Sequence, residues 1–188
     1  HLLSNEVGSG QQRNLYGLIG YEARPRPLPV GGAELGGYRE MAAAASQLRI
    51  SGGTEDGYAA IKHAIAGYTL RAESAKNVVL ITDEDRDVVD TSIDSASMLA
   101  LLRGQSAILN SVVDARFRCG DGRAALGMGQ GGTGFVADGA GGYSVCVNAS
   151  AVSGSGTTIR DYVDLALATG GAAWDLQFLR SGGANAMS

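Results

Sequence analysis

Hydrophobic and polar positions follow two rhythms along this chain. Tyr58, Ile61, Ile65 and Tyr68 recur at helical spacing and predict a helix over residues 56–68 with one buried stripe. Ile159, Tyr162, Val163, Ala166 and Leu167 stand at i, i+3, i+4, i+7 and i+8. They predict a second helix over 158–169, with Thr158 and Asp161 capping its start and Gly170-Gly171 its end. Residues 39–48 (REMAAAASQL) are helical by propensity. Residues 90–103 form a further helix, with Thr91 and Asp94 as a capping box, Ile93, Ala96 and Leu99 inward, and Gly104 as the stop. Residues 1–7 read as the last turns of a helix ended by Gly8-Ser9-Gly10.

The other rhythm belongs to strands. Val78, Val79, Leu80 and Ile81 form an unbroken apolar run, the pattern of a strand buried on both faces of a parallel sheet. Residues 14–21 (NLYGLIGY) predict a second buried strand, and residues 106–113 (SAILNSVV) a third strand. Trp174, Leu176 and Phe178 alternate as a short strand before the tail. Residues 24–29 carry all three prolines and read as loop, because proline supplies no backbone donor. Strands alternating with amphipathic helices predict an α/β domain with a mostly parallel sheet and helices on both faces. Residues 116–156 are broken by glycines, with strand-like pieces at 134–137 and 143–147, and read as a hairpin insertion.

At 188 residues the chain is expected to be one domain, long enough to bury about 70% of its unfolded surface. Its 15 basic and 19 acidic residues give a net charge of −4, and no basic stripe is interleaved with aromatics, which argues against a nucleic-acid partner. No apolar run approaches the ~20 residues of a membrane helix. Cys119 and Cys146 flank the glycine-rich segment, where spacing alone allows either a disulfide or two buried thiols. With two cysteines and two histidines, a tetrahedral zinc site is not expected, and His63 falls off its helix stripe onto the surface.

The apolar run ends in Thr82-Asp83-Glu84-Asp85-Arg86-Asp87. Ligands of open α/β sheets bind beyond the carboxyl ends of strands, and clustered carboxylates call for a cation or a basic partner. Upstream, Gly52-Gly53-Thr54 precedes the helix at 56–68. The Gly-Gly-Thr loop, the apolar strand ending in Asp83, the strand SAILNSVV, the helix ending LALATGG and the strand AAWDL together resemble a von Willebrand factor type A domain over residues 14–176. That resemblance implies a doubly wound, Rossmann-like α/β fold with a metal-ion-dependent adhesion site. Thr54 and Asp83 would be two ligands of Mg²⁺, with Mn²⁺ or Ca²⁺ as substitutes. Threonine at position 54 has an alternative role in starting the helix. The family's D-x-S-x-S loop does not precede NLYGLIGY, so the chain is expected to be an N-terminally truncated domain with an incomplete site. Asp90-Thr91-Ser92-Ile93-Asp94 imitates that loop in the wrong order and reads as a capping segment.

The resemblance implies a secreted or cell-surface adhesion module that binds a protein or matrix ligand and is not an enzyme. The alternative is a Mg²⁺-dependent hydrolase or phosphotransfer domain using the Asp83–Asp87 carboxylates. Asp85 and Asp87 suit a second cation or partner contact, or else local neutralisation by Arg86. Gly127-x-Gly129-x-x-Gly132 leads into no helix and reads as loop, and Gly154-Ser155-Gly156-Thr157-Thr158 lacks the P-loop lysine and reads as a flexible helix entry. Asn148-Ala149-Ser150 matches a glycosylation sequon.

Overall fold

The computed structural model describes residues 14–49, 52–140 and 142–182. The helix expected over residues 1–7 lies outside them. The chain divides into two compact units, His1–Arg71 and Ala72–Ser188.

In the first unit, β1 (Leu18–Tyr21) and β2 (Pro25–Leu28) form an antiparallel two-stranded sheet. This corrects two expectations. The strand in NLYGLIGY is shorter than its apolar pattern and joins no parallel sheet, and the proline segment is itself a strand. Pro25 and Pro27 are two residues apart, so both missing N–H groups lie on the same edge of β2, the position in which a strand tolerates proline. A helix α1 (Tyr38–Ala44) runs into a 3-10 turn, Ala45–Gln47. Then α2 (Gly57–Lys62) continues as a π-helical turn, His63–Gly67. The predicted stripe is present: Tyr58, Ile61 and Ile65 are buried. Tyr68 closes it by donating its hydroxyl to the Leu18 carbonyl at 3.1 Å and meeting the half-buried His63 ring edge-on.

The second unit is a mixed α/β body around a six-stranded sheet. Parallel strands β3 (Lys76–Thr82), β4 (Ala107–Val113) and β11 (Ala173–Asp175) form one side of it, with β4 in the middle. Antiparallel strands β7 (Gly127–Met128), β8 (Gly134–Ala137) and β9 (Tyr143–Cys146) continue it from β11. A smaller antiparallel sheet joins β5 (Ala115–Arg118), β6 (Ala124–Ala125) and β10 (Ser150–Gly154). The glycine-rich stretch is therefore not a hairpin set into a finished sheet, since it supplies three strands of the main sheet and a second sheet besides.

Along β4 every second residue is buried: Ala107, Leu109, Ser111 and Val113. Against that face pack α3 (Ser95–Gly104), through Met98 and Leu102, and α4 (Asp164–Ala168), through Leu165 and Ala166. A π-helical turn, Ile159–Val163, leads into α4 and buries Tyr162 and Val163. Each large apolar side chain taken fully from water here contributes about 1.5–3 kcal/mol. The opposite face is open. Val79 is 59% and Ile81 60% exposed, so β3 is an edge strand with one apolar face in solvent, not a strand buried on both faces. The α3 helix starts after Asp94, whose carboxylate accepts the Ser97 N–H at 2.8 Å, and Ala96 is exposed. Asp90 and Ser92 instead make a local turn, in which the Asp90 carboxylate accepts from the Ser92 N–H and hydroxyl. Beyond β11 the chain turns into α5 (Leu176–Gly182), where alternation had suggested a longer strand. Among the described residues no helix is long and apolar enough to cross a membrane.

Candidate functional site

The carboxyl end of β3 is shaped by a local turn. The Thr82 hydroxyl accepts the Glu84 N–H at 3.2 Å, which bends the chain out of the sheet and leaves Asp83 at the surface. Asp83 does not stand alone there. Arg180, on α5, donates to its carboxylate at 2.9 Å, with both side chains about half exposed, 51% and 53%. This hydrogen bond holds the Asp83 carboxyl below the usual carboxylate range.

Arg180 reaches Asp83 because α5 is anchored at its start. The Asp175 carboxylate accepts from the N–H groups of Gln177 and Phe178, at 2.8 and 3.2 Å, and pairs with Arg116 at 3.0 Å. A buried aspartate at the end of β11 thus starts the helix that delivers a guanidinium to the end of β3. Arg180 is the site residue that sequence reasoning missed. It lies 97 positions from Asp83, and no local pattern links the two.

Asp85 faces a different partner, accepting the Thr157 backbone N–H at 3.0 Å. The Gly-rich entry to the 158–169 segment therefore binds a carboxylate from its own chain. Thr158 is buried but makes no side-chain cap bond, so the expected capping by Thr158 and Asp161 is not formed. Arg86 is buried, donates to the Asp90 carbonyl at 3.4 Å and attracts Asp161. Burial pushes the Asp161 carboxyl up, but the Arg160 guanidinium at 2.9 Å, Thr157 and the charge of Arg86 together outweigh it, leaving the group below its ordinary range. Asp87 is exposed in the loop that follows.

Comparison with family models, with curated proteins and with solved structures finds no match. The site must be judged on its own donors.

Thr54 belongs to the first unit, and Asp83, Asp85 and Asp87 to the second. Thr54 is exposed and does not cap α2. That role falls to Asp56, whose buried carboxylate accepts the Tyr58 N–H at 3.2 Å. Cys119 and Cys146 are bonded to each other, with their Cα atoms 5.9 Å apart. A Mg²⁺ ion needs near-octahedral oxygen donors. Asp83 is engaged by Arg180 and Asp85 by a backbone N–H, and among the described residues no group of three or more acidic, histidine or cysteine side chains is placed to hold a metal.

Asp83 and Asp161, two of the lowered carboxylates, give a pH dependence of known sign. Asp83 and Asp161 are lowered in the folded protein, so their contribution is whole above the unfolded value, about 3.9, and is lost as pH falls through the lower folded values. Urea midpoints are expected to hold down to about pH 4 and to drop below it. Asp161→Asn should flatten that drop more than Asp83→Asn, because the Asp161 side chain is 6% exposed and the Asp83 pair is screened by water. Equal flattening by both would show that burial does not set the size of the effect.

Proposed function

We propose that this chain is a protein-binding module of the von Willebrand factor A kind, an adhesion domain and not an enzyme, acting outside the cell or at its surface. Contact with a protein or extracellular-matrix ligand is made by the loops beyond the carboxyl ends of the parallel strands, centred on Asp83. One observation carries this reading: a half-exposed carboxylate at the end of a parallel strand, oriented by Arg180. Open α/β sheets bind ligands at that end, and a surface pair of fixed charges gives a partner both direction and sign. The disulfide supports an oxidising, extracellular setting. Mg²⁺, with Mn²⁺ or Ca²⁺ as substitutes, belongs to the same proposal as the ion held at Asp83.

Titration calorimetry with these three ions tests it. Arg180 occupies the oxygen that a cation would use, so Arg180→Ala is expected to raise Mg²⁺ affinity about fivefold, the worth of one exposed ion pair. Asp83→Asn is expected to abolish binding. Identical heats for the wild type and both variants would remove Asp83 as the centre of a cation-dependent site. Phosphomonoester turnover that disappears in Asp83→Asn would replace the adhesion reading with a Mg²⁺-dependent hydrolase or phosphotransfer domain.

A further inference from the structure

On the open face of the six-stranded sheet, at the amino ends of β3 and β4, lies a shallow cleft. Ile108 and Phe135 are its apolar lining, and Asn77, Asn110, Gln130 and Thr133 its polar side chains. Asn77 is the second residue of β3 and Asp83 follows its last, so the cleft lies about 20 Å along the strand from Asp83. It is a separate place on the molecule.

Three properties of this cleft point to one class of ligand. Among the described residues that line it, none is acidic, basic or histidine, so an anion or cation would enter without a counter-charge. Two of its amides are oriented by the backbone. Asn110 accepts the Ala172 N–H through Oδ1 at 3.1 Å, which leaves its NH₂ group as a donor. Gln130 donates from Nε2 to the Leu167 carbonyl at 3.1 Å, which leaves its Oε1 as an acceptor. The cleft therefore offers a fixed donor and a fixed acceptor, together with the Thr133 hydroxyl. The third property is aromatic. Phe135 stacks on Trp174 with ring centres 5.0 Å apart and meets Tyr143 edge-on at 5.4 Å, so a row of rings leads from the cleft across the sheet. Gly127 stands between Trp174 and Phe135 in the strand register, and a Cβ there would strike Trp174 at 2.8 Å. The missing side chain is what lets the two rings meet.

We propose that this cleft binds a neutral oligosaccharide. Sugar hydroxyls both donate and accept, matching amides fixed in opposite senses, while the C–H face of a pyranose ring matches an aromatic surface. Small numbers of preset polar groups on an apolar floor are what orient a ligand with little ordering cost.

Trp174 is the one tryptophan in the chain, so its fluorescence reports on the row of rings directly. The probes are neutral hexasaccharides of glucose, mannose, xylose and N-acetylglucosamine, with a sulfated hexasaccharide and a phenyl-rich hexapeptide as controls. Saturable binding of at least one neutral probe below about 10 mM, with a change in Trp174 emission, is the expected result. Gln130→Ala and Asn77→Ala, both at exposed positions, should each weaken it about fivefold, the worth of one hydrogen bond, with thermal midpoints unchanged. Asp83→Asn should leave it unchanged, which separates this proposal from the one above. Failure of every neutral probe, binding of only the sulfated sugar or the peptide, or sugar binding indifferent to Gln130→Ala and Asn77→Ala would each overturn it.

Discussion

Removing the Cys119–Cys146 bridge is expected to lower the stability of the second unit by about 3–4 kcal/mol, the largest effect of any side-chain change short of a core deletion. The bond closes a loop of 27 residues' separation that contains five short strands or turns, and two of those strands, β6 and β7, are only two residues long. Strands that short bring few contacts of their own against the entropy of ordering a glycine-rich chain. The cross-link restricts the unfolded loop instead, and ties the end of β5 to the end of β9. Both sulfurs are buried beside Gly134 and Ala149. Urea unfolding of the Cys119→Ala/Cys146→Ala protein measures the loss, and unfolding of the wild type in dithiothreitol separates loop entropy from the small cavity that alanine leaves. A midpoint unmoved by either treatment would mean that β7–β9 hold their place without the bond.

The second large effect is expected at Gly171. A Cβ built there would overlap the carbonyl oxygen of Leu109, a backbone atom of the middle strand β4 that no side-chain rotation can move aside. The approach is close because the loop from α4 into β11 is bonded to β4 throughout. The Thr169 hydroxyl accepts the Leu109 N–H at 2.9 Å, Asn110 accepts the Ala172 N–H at 3.1 Å, and the Ser111 N–H donates to the Ala172 carbonyl at 3.0 Å. Alanine at 171 must therefore push β11 away from β4 and break several of these bonds together. Overpacking typically costs about 1–3 kcal/mol, and a clash with fixed backbone is expected at the upper end of that range. Gly53→Ala, where an added Cβ meets nothing, is the control and should stay within about 0.5 kcal/mol of the wild type. Thermal unfolding compares the two, and a Gly171→Ala midpoint equal to the control's would show that the loop is free to relax.

Much of the secondary structure was legible in the residues. The stripes Tyr58–Ile61–Ile65 and Tyr162–Val163–Ala166 are buried as their spacing predicts, and the strand within SAILNSVV alternates between a buried and an open face. Each of these is a local property, set by the 3.6- and 2-residue periods of the backbone. Local pattern misled wherever two structures share it. An apolar run reads the same at a sheet edge as at its centre, so Val79 and Ile81 gave no sign that they face solvent. Trp174, Leu176 and Phe178 fit three turns of alternation as well as the strand-to-helix step that forms. Two-residue strands such as β6 and β7 are too short to have a period at all.

The candidate site divides in the same way. Asp83 stood out because an apolar strand ending in a carboxylate is a contiguous signal. Its partner did not, because Arg180 depends on α5, on the Asp175 carboxylate that starts α5, and on the parallel register of β3, β4 and β11. The row of Trp174, Phe135 and Tyr143 depends likewise on pairings among strands far apart in the chain. The sequence by itself determined where helices and strands begin to form, because those preferences act over a few residues. Which edge stays open, which charges meet and which rings stack were decided only by the tertiary structure, because each requires distant segments to be hydrogen-bonded in one register.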